Sequence, residues 1–301
     1  MLDSKRIFKT QRTAVEKTIA WIENQYAQVR VTRDGITTLE KTNNLVVPQF
    51  SHAISRPSFH EGHGFISAPQ LHIHNLIMNM TQDSIGKWKA VENSRIFNEQ
   101  KLIQSAYQSY LFTGIKDIGY ALEIRLDGKV EIAGIIRKLN ELFSKRRKDI
   151  YRTEQKLLEK GVFPNASDGP LRNIAVLESR SGKNVRITEE ELKASWTAQM
   201  YEKGFSVEGV RQDIETAIQK ESLLKKSFYQ KNEFDTLRFA ANAITENGQS
   251  FKQSEILDKA LSMSRGHLNI DDLEKAFNTL LQKREIIRRR YGRQGTKGNT
   301  K

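Results

Sequence analysis

The sequence contains no cysteine among its 301 residues, and it contains no long apolar run. Without cysteine, the chain has no disulfide scaffold, thiolate zinc site, iron–sulfur cluster or cysteine nucleophile. No apolar stretch approaches the roughly 18 residues that a membrane-spanning helix needs. The charged first six residues precede no apolar segment of the kind found in a signal peptide. These absences predict a cytoplasmic protein with no membrane partner.

The composition is that of a folded globular chain with a strong excess of positive charge. Hydrophobic residues make up 38% of the sequence and charged residues 28%, which is typical of globular proteins. The formal net charge is +13 at pH 7, and the sequence pI is about 9.7. Such an excess predicts an anionic partner, and nucleic acid is the commonest one. The alternative is a basic protein that has no such partner.

Two segments concentrate the positive charge. The last 21 residues, from Leu281 to Lys301, carry eight lysines and arginines against one glutamate. This basic tail is interpreted either as a phosphate-binding arm or as a solvated terminus. The second segment, Lys145-Arg146-Arg147-Lys148, follows a helical pattern of apolar residues. We interpret that segment as a solvated helix face.

The spacing of apolar residues predicts helices and strands in one chain, and the expected fold class is α+β, with helices packed on an antiparallel sheet. A segment rich in proline, glycine and histidine, over 56–69, separates the two main strands. From Phe234 onward, three helical patterns and a closing basic strand suggest a small winged-helix-like unit. The other expected elements are helices over 11–28 and 99–112, strands over 44–54 and 71–80, and a hairpin around 127–128.

The histidines are unevenly distributed, because five of the six lie within 23 residues. His72 and His74 flank Ile73 in a strand-like run, so both imidazoles point to one side and Ile73 points to the core on the other. Two neighbouring imidazoles form half of a divalent-metal site, and His52, near the end of the preceding strand, is the natural third ligand. The alternative is that His72 and His74 are half-exposed residues whose ring nitrogens form hydrogen bonds with water. The remaining members, His60 and His63, lie in the intervening loop and are interpreted as a feature of its composition.

Five segments carry a recognisable pattern. They are Asn44–Arg56, Pro69-Gln-Leu-His-Ile-His-Asn-Leu-Ile-Met-Asn-Met-Thr81, Gly86–Ala90, Ile118–Tyr120 and Phe143–Arg147. Together they resemble the conjugative relaxases of the TrwC/TraI (MobF) family, which belong to the histidine–hydrophobic–histidine (HUH) endonuclease group. The resemblance extends over residues 10–205. From Phe234 on, the chain is similar, more weakly, to the segment that links relaxase to helicase in full-length members.

The resemblance implies a metal-dependent relaxase that nicks single-stranded DNA at an origin of transfer and transfers the strand during plasmid mobilisation. It implies a partial relaxase domain over 1–205 and a helical segment over 206–301 that ends in the basic tail. His52, His72 and His74 would be the ligands of a divalent cation, Mg²⁺ or Mn²⁺ in the cell, that draws charge off the scissile phosphate. Because magnesium prefers oxygen ligands, manganese or another transition ion is expected to bind better in vitro.

The chain departs from the family pattern at the nucleophile. In the family, a tyrosine from a group at the extreme N-terminus attacks the phosphate and forms a covalent 5′-phosphotyrosine. The eight tyrosines of this chain all fall in later segments, and the family's early acidic strand has no counterpart. Ala68 stands where the family usually has aspartate, and the segment over 56–66 is about nine residues longer than the family pattern. We therefore expect no catalytic residue in this chain and a sheet that is incomplete at its N-terminal side.

Three hypotheses remain open at this stage. In the first, the chain is an N-terminally truncated relaxase that binds metal and DNA and is inactive alone. In the second, it is half of a split enzyme, and another chain supplies the tyrosines and the missing strands of the sheet. In the third, it is a non-enzymatic, basic DNA-binding protein whose histidines are incidental.

Residues that flank the histidine strands are candidate contacts to single-stranded DNA. Trp88 is placed to stack on a base between two lysines. The alternative is that Trp88 belongs to the core and that the lysines are solvated. The candidates are Arg30, Arg33, Arg56, Lys87, Trp88 and Lys89.

Overall fold

The structure is a computed structural model of the chain, and it describes residues 4–60, 62–125, 129–162, 170–179, 187–224, 232–245, 251–264 and 266–286. Within these ranges the chain forms eleven α-helices and ten short β-strands, which confirms the predicted α+β class. The helices are α1 (Ser4–Tyr26), α2 (Ser94–Asn98), α3 (Gln100–Asp117), α4 (Arg137–Phe143), α5 (Lys145–Glu159), α6 (Leu171–Glu178), α7 (Glu189–Glu202), α8 (Val207–Leu224), α9 (Glu233–Thr245), α10 (Gln253–Ser264) and α11 (Ile270–Gln282). The strands are β1 (Gln28–Arg33), β2 (Ile36–Lys41), β3 (Gln49–Ile54), β4 (Ser58–His60), β5 (Gly64–Ile66), β6 (Pro69–Asn75), β7 (Thr81–Gln82), β8 (Trp88–Lys89), β9 (Leu122–Ile124) and β10 (Val130–Ile132). A bilayer-spanning segment is not found among these described helices.

The described strands pair as five antiparallel sheets of two strands each. Four of the pairs, β1–β2, β4–β5, β7–β8 and β9–β10, join strands that are neighbours in sequence. The fifth, β3–β6, joins strands on either side of the β4–β5 hairpin. The hairpin occupies the proline-, glycine- and histidine-rich segment, so the extra residues loop out of the β3–β6 sheet without preventing its pairing.

The two strands of the β3–β6 sheet are shorter than the sequence pattern indicated. Beyond the regular ladder, the N–H of Leu76 donates to the carbonyl of Pro48 at 3.1 Å, and the N–H of Met78 donates to the carbonyl of Val46 at 2.9 Å. The two segments therefore stay side by side over most of their predicted length. Proline has no N–H to donate, so Pro48 interrupts the regular ladder.

Helix α1 packs against β6, and its apolar residues recur at helical spacing. Its buried side chains include Val15, Trp21 and Ile22, and burying side chains of this size contributes about 1.5–3 kcal/mol each. The ring of Trp21 contacts that of Tyr26 edge to face, with a centroid distance of 5.5 Å. On the sheet side, the amide of Gln11 donates to the carbonyl of Leu71 at 3.2 Å. This contact ties the helix to the strand that carries two of the histidines.

A separate apolar cluster joins helix α4 to helix α8. Leu139 and Leu142 of α4 pack with Val210 and Ile214 of α8. The turn before α4 contains Gly134, whose φ is +89°. A Cβ on Gly134 would lie 2.6 Å from the carbonyl oxygen of Asp213, so only glycine allows the turn to approach α8 this closely.

By its internal contacts the chain divides into two compact units, Met1–Ile96 with Gly114–Phe228, and Phe97–Thr113 with Tyr229–Lys301. In the second unit, α9, α10 and α11 correspond to the three helices expected from Phe234 onward, and Leu237, Ile256 and Leu273 are fully buried there. The closing basic strand and most of the basic tail fall in 287–301, outside the described residues. The domain boundary near 205 stays a prediction.

Candidate metal centre

The β3–β6 register brings the three predicted metal ligands to one face of the sheet. His52 lies directly opposite His72, and Phe50 lies opposite His74. Opposite residues of an antiparallel pair share a face, and residues two apart on one strand do so too. His52, His72 and His74 therefore point the same way. Ile73 faces the other side, where it is half-buried rather than fully in the core.

The three imidazole rings form a nearly equilateral triangle. The ring centroids are 5.2 Å apart for His52 and His72, 5.2 Å for His52 and His74, and 5.0 Å for His72 and His74. An ion held at about 2.1 Å by three imidazole nitrogens spaces the ring centroids roughly 4.5–5.3 Å apart. The spacing of the rings therefore fits one cation held by all three.

Two of the three rings are stacked, and the third is edge-on to both. The planes of His52 and His72 are 19° apart, and His74 is edge-on to both. In these rotamers, no group of three or more histidine, aspartate or glutamate side chains in the described ranges forms a complete metal-binding cluster. Ligation therefore requires the rings to turn about their side-chain torsions. Because every residue of β3 is exposed, solvent leaves the ring of His52 room to turn.

His72 has the hydrogen bond that a metal-binding imidazole usually makes with its second nitrogen. Its Nδ1 lies 3.0 Å from the carbonyl oxygen of Gln70. The tautomer with the proton on Nδ1 donates this bond and leaves the lone pair on Nε2 for a cation. Three imidazole nitrogens suit manganese, zinc or copper better than magnesium, which prefers oxygen ligands. The donor set and the spacing therefore fit the divalent cation that the sequence predicted.

Of the other two clustered histidines, His63 has a defined structural partner. Its Nε2 lies 3.0 Å from Oε1 of Glu202 at the end of α7. Nearby, the indole N–H of Trp196 donates to the carbonyl of Ser67 at 2.8 Å. These contacts connect the β4–β5 hairpin to α7. His63 therefore has a specific structural contact, although the sequence analysis interpreted it only as a feature of the loop's composition. For His60, only the backbone position in β4 is described, and its side chain lies outside the described part.

Trp88 is exposed, and the alternative that placed it in the core is wrong. Its side chain keeps 51% of its accessible surface on the short β7–β8 hairpin. The turn of this hairpin is organised by Asp83, whose Oδ1 accepts hydrogen bonds from the N–H groups of Ile85 and Lys87. Lys89 is 3.2 Å from Oδ2 of the same carboxylate. A DNA contact by Lys89 therefore competes with an internal ion pair, whereas Lys87 and Trp88 stay accessible.

The stability of this hairpin is expected to depend on pH through Asp83. Burial alone raises the pKa of Asp83, but hydrogen bonds from the N–H groups of Lys87 and Ile85 and the Lys89 ammonium outweigh it and lower the pKa. In the unfolded chain, the pKa of an aspartate is about 4. The Asp83 carboxylate therefore contributes its full stabilisation above about pH 4, and this contribution is lost as the pH falls through the lower pKa of the folded state. Asp83→Asn is expected to lower the free energy of unfolding at pH 7, and the difference from the unaltered chain is expected to shrink towards pH 3. Urea denaturation between pH 3 and pH 7 measures this difference. Asp34→Asn, in the exposed β1–β2 turn, is the matched control, and a deficit for Asp83→Asn that is independent of pH contradicts the prediction.

The three predicted arginine contacts differ in how they are held. Arg30 forms an ion pair with Glu92, and Arg33 lies 3.5 Å from Glu40, although both guanidinium groups remain largely exposed. Arg56 lies two residues after the end of β3 and is half-buried. All three are compatible with phosphate binding, and their DNA contact stays a prediction.

Among the described residues, no tyrosine ring contacts the rings of His52, His72 or His74. Tyr26 is buried against Trp21, and Tyr110 is buried at a position where desolvation and Asp271 raise its pKa. Tyr151 on α5 and Tyr201 on α7 are exposed. Within the described part of the chain, the ring contacts of His52, His72 and His74 are with one another. Tyr229 and Tyr291 fall outside that part.

Comparison with known proteins establishes the class of protein to which this chain belongs. Residues 1–203 match the family model described as TrwC relaxase. This match covers well over half of the chain, and the chain belongs to the TrwC relaxase family.

The similarity also extends to individual relatives. The multifunctional conjugation protein TraI of Escherichia coli is 29% identical over 217 residues, which are 69% of this chain and 11% of TraI. TraI of Escherichia coli strain K12 is 27% identical over 218 residues. The chain thus spans about a tenth of the length of these curated relatives.

Solved structures of the conjugative relaxase TrwC in complex with OriT DNA share the fold. A metal-free complex is 32% identical, with a TM-score of 0.57, over 67% of this chain and 67% of the other. A copper-bound complex is also 32% identical at the same TM-score, over 67% of this chain and 64% of the other. These matches confirm the relaxase fold class that the sequence predicted.

Proposed function

We propose that this chain is the metal-binding and DNA-binding part of a conjugative relaxase and acts on single-stranded DNA at an origin of transfer. His52, His72 and His74 hold a divalent cation. In vitro they bind manganese or another transition ion better than magnesium, and in the cell the ion is magnesium or manganese. The observation that carries this proposal is the triangle of three imidazoles, 5.0–5.2 Å apart on one face of the β3–β6 sheet. Since plasmid DNA lies in the cytoplasm, we propose the same location for the protein.

The side chains of this region serve binding and orientation. When bound, the cation withdraws charge from the scissile phosphate and lowers the barrier to its attack. The three imidazoles fix its position on the sheet, and the Gln70 carbonyl holds the tautomer of His72. The exposed ring of Trp88 offers a surface on which a base can stack. In this proposal, Lys87 and Arg56 bind the neighbouring phosphates.

The nucleophile is supplied from elsewhere in this proposal. Because none of its tyrosines matches the family's N-terminal nucleophile in the sequence pattern, we expect the chain to bind the strand without cleaving it. A complementing strand could pair beside β3, since β3 pairs only with β6 among the described strands and is exposed along its whole length. Phe50 keeps 51% of its surface on β3. An exposed apolar strand edge favours pairing with another segment.

The test is a search for a covalent protein–DNA adduct. Purified chain is incubated with fluorescent origin-of-transfer single strand and Mn²⁺, and the products are separated on a denaturing gel. We expect metal-dependent binding in solution and no adduct on the gel. Co-expression with a segment that carries the family's N-terminal tyrosines is expected to yield the adduct and to increase solubility.

Each outcome discriminates between the hypotheses. An adduct formed by the chain alone overturns the view that it is inactive. No adduct after co-expression favours an inactive remnant over a split enzyme. The second candidate, a non-enzymatic DNA-binding protein, is favoured by the net charge of +13. It requires that the DNA affinity be unchanged by His72→Ala with His74→Ala and by removal of Mn²⁺.

A further inference from the structure

The first compact unit contains a second feature that the histidine site does not explain, a basic cleft between α4, α5, α6 and the β9–β10 hairpin. Its volume is about 830 Å³. Seven of its lining side chains are arginine or lysine, and two are glutamate. The cleft therefore has a large excess of positive charge, which predicts an anionic occupant.

Helix α5 presents one face to this cleft. Arg147, Lys148, Tyr151 and Arg152 line it, at positions that fall on the same side of an α-helix because they are separated by one, four and five residues. All four are exposed, and Tyr151 keeps 59% of its accessible surface. Three cations and an aromatic ring thus share one accessible helix face.

The carboxylates of the cleft do not neutralise this face. Glu131 is 2.7 Å from Arg125, and Glu141 is 2.6 Å from Arg137, so both acids are paired with other arginines. Among the described residues, neither Arg147 nor Lys148 has a carboxylate partner. Arg152 lies 4.0 Å from Asp149, a weak and exposed contact. The charge on the α5 face is therefore available to a ligand.

The first turn of α5 is charged against its own helix dipole. Four successive basic residues, 145–148, begin the helix, and the turn contains no acidic residue. A helix N-terminus is stabilised by negative charge, as at α7, where Thr188 forms a capping box and Glu189, Glu190 and Glu191 fill the first turn. Burial and the nearby cations Lys148, Lys203 and Arg152 lower the pKa of Lys145. An arrangement that disfavours the isolated helix points to a binding role.

The wall of the cleft is held in place by Arg146, the second basic residue of this turn. The guanidinium of Arg146 donates to the carbonyls of Ser179 and Val176 at 2.5 and 2.9 Å. These carbonyls lie at the C-terminal end of α6, where a cation is favourable. Arg146 therefore holds α6 against α5, while Arg147 and Lys148 face the cleft.

We propose that this cleft is a second contact for single-stranded DNA. In this proposal, Arg147, Lys148 and Arg152 bind consecutive phosphates and Tyr151 stacks on a base between them. The inference rests on the proposed function, which makes single-stranded DNA the substrate. It adds to that function a binding surface on α5 that is separate from the histidine strands.

The test measures the DNA affinity and its salt dependence with a paired variant. Arg147→Ala with Arg152→Ala is compared with the unaltered chain by the fluorescence anisotropy of a labelled single strand, with Mn²⁺ present and salt varied. Losing two phosphate contacts is expected to weaken binding about tenfold and to reduce the slope of log affinity against log salt by roughly 1.4. Tyr151→Ala is expected to weaken binding about fivefold or more with little change in slope.

The control removes the same charge elsewhere in the unit. Arg211 and Lys220 are exposed on α8, outside the cleft, and Arg211→Ala with Lys220→Ala is expected to change affinity less than about threefold. If both double variants weaken binding equally, net charge alone explains the loss of DNA affinity, and the proposal that the cleft binds DNA is overturned. If the unaltered chain binds DNA and the cleft variant has the same affinity and slope, the cleft proposal is overturned and the proposed function stands. No binding by the unaltered chain overturns the proposed function as well.

Discussion

His72→Ala combined with His74→Ala is expected to abolish the uptake of one Mn²⁺ ion per chain. The two imidazoles are two of the three rings in the triangle, and a lone His52 is an ordinary exposed side chain. Loss of even one supporting hydrogen bond to a ligand costs about 10–100-fold in metal affinity, so loss of two ligands is expected to exceed a hundredfold. Isothermal titration calorimetry with MnCl₂ measures the stoichiometry and the affinity directly.

The matched control for this experiment is His63→Ala. His63 belongs to the same histidine-rich segment, but it is bonded to Glu202. Its removal is expected to leave Mn²⁺ binding unchanged while loosening the β4–β5 hairpin. Equal loss of uptake in the two variants would mean that the ion binds elsewhere. Full retention of uptake in the double variant would remove the metal chemistry from the proposed function.

Gly134→Ala is expected to destabilise the first compact unit by about 2–5 kcal/mol, by combining backbone strain with overpacking. Gly134 has a φ of +89°, a region that residues with a Cβ rarely adopt. The added Cβ would lie 2.6 Å from the carbonyl oxygen of Asp213 and 2.7 Å from Cα of Ile214. Both are backbone atoms of α8, so relief requires α4 and α8 to separate and open the cluster around Leu139.

Gly204→Ala separates these two contributions. Gly204 also has a positive φ, +77°, but nothing lies within 4 Å of its added Cβ. Its substitution is expected to cost only the backbone strain, roughly 1–2 kcal/mol. Urea denaturation followed by circular dichroism compares the two variants with the unaltered chain. Equal losses of stability would show that the approach of the turn to α8 is not limiting.

Local patterns were sufficient to predict most of the helices and the face of the histidine strand, although α1 begins at Ser4 rather than at residue 11. The apolar spacing around Leu237, Ile256 and Leu273 predicted α9, α10 and α11, because a helix depends on residues three and four apart. The strict alternation of a strand placed His72 and His74 on one side. The hairpin β4–β5 was not predicted, since its strands have three residues each and depend on contacts with α7.

Contacts between distant segments account for what sequence reasoning missed. Residues 97–113 belong to the same compact unit as the helices after 229, and no local pattern indicates this. The basic cleft draws its residues from four elements, so the run 145–148 was interpreted as a solvated face. The helical spacing of Arg147, Lys148, Tyr151 and Arg152 is the sequence signal that could have indicated it.

The sequence by itself determined the α+β class, the family, the presence of most helices and the strand alternation that aligns two imidazoles, because these depend on near neighbours and on motif identity. Only the tertiary structure decided that His52 faces His72, that Trp88 is exposed and that α5 lines a basic cleft. Those features depend on register and on long-range packing, and a pairing shifted by one residue would turn His52 away from the other two rings.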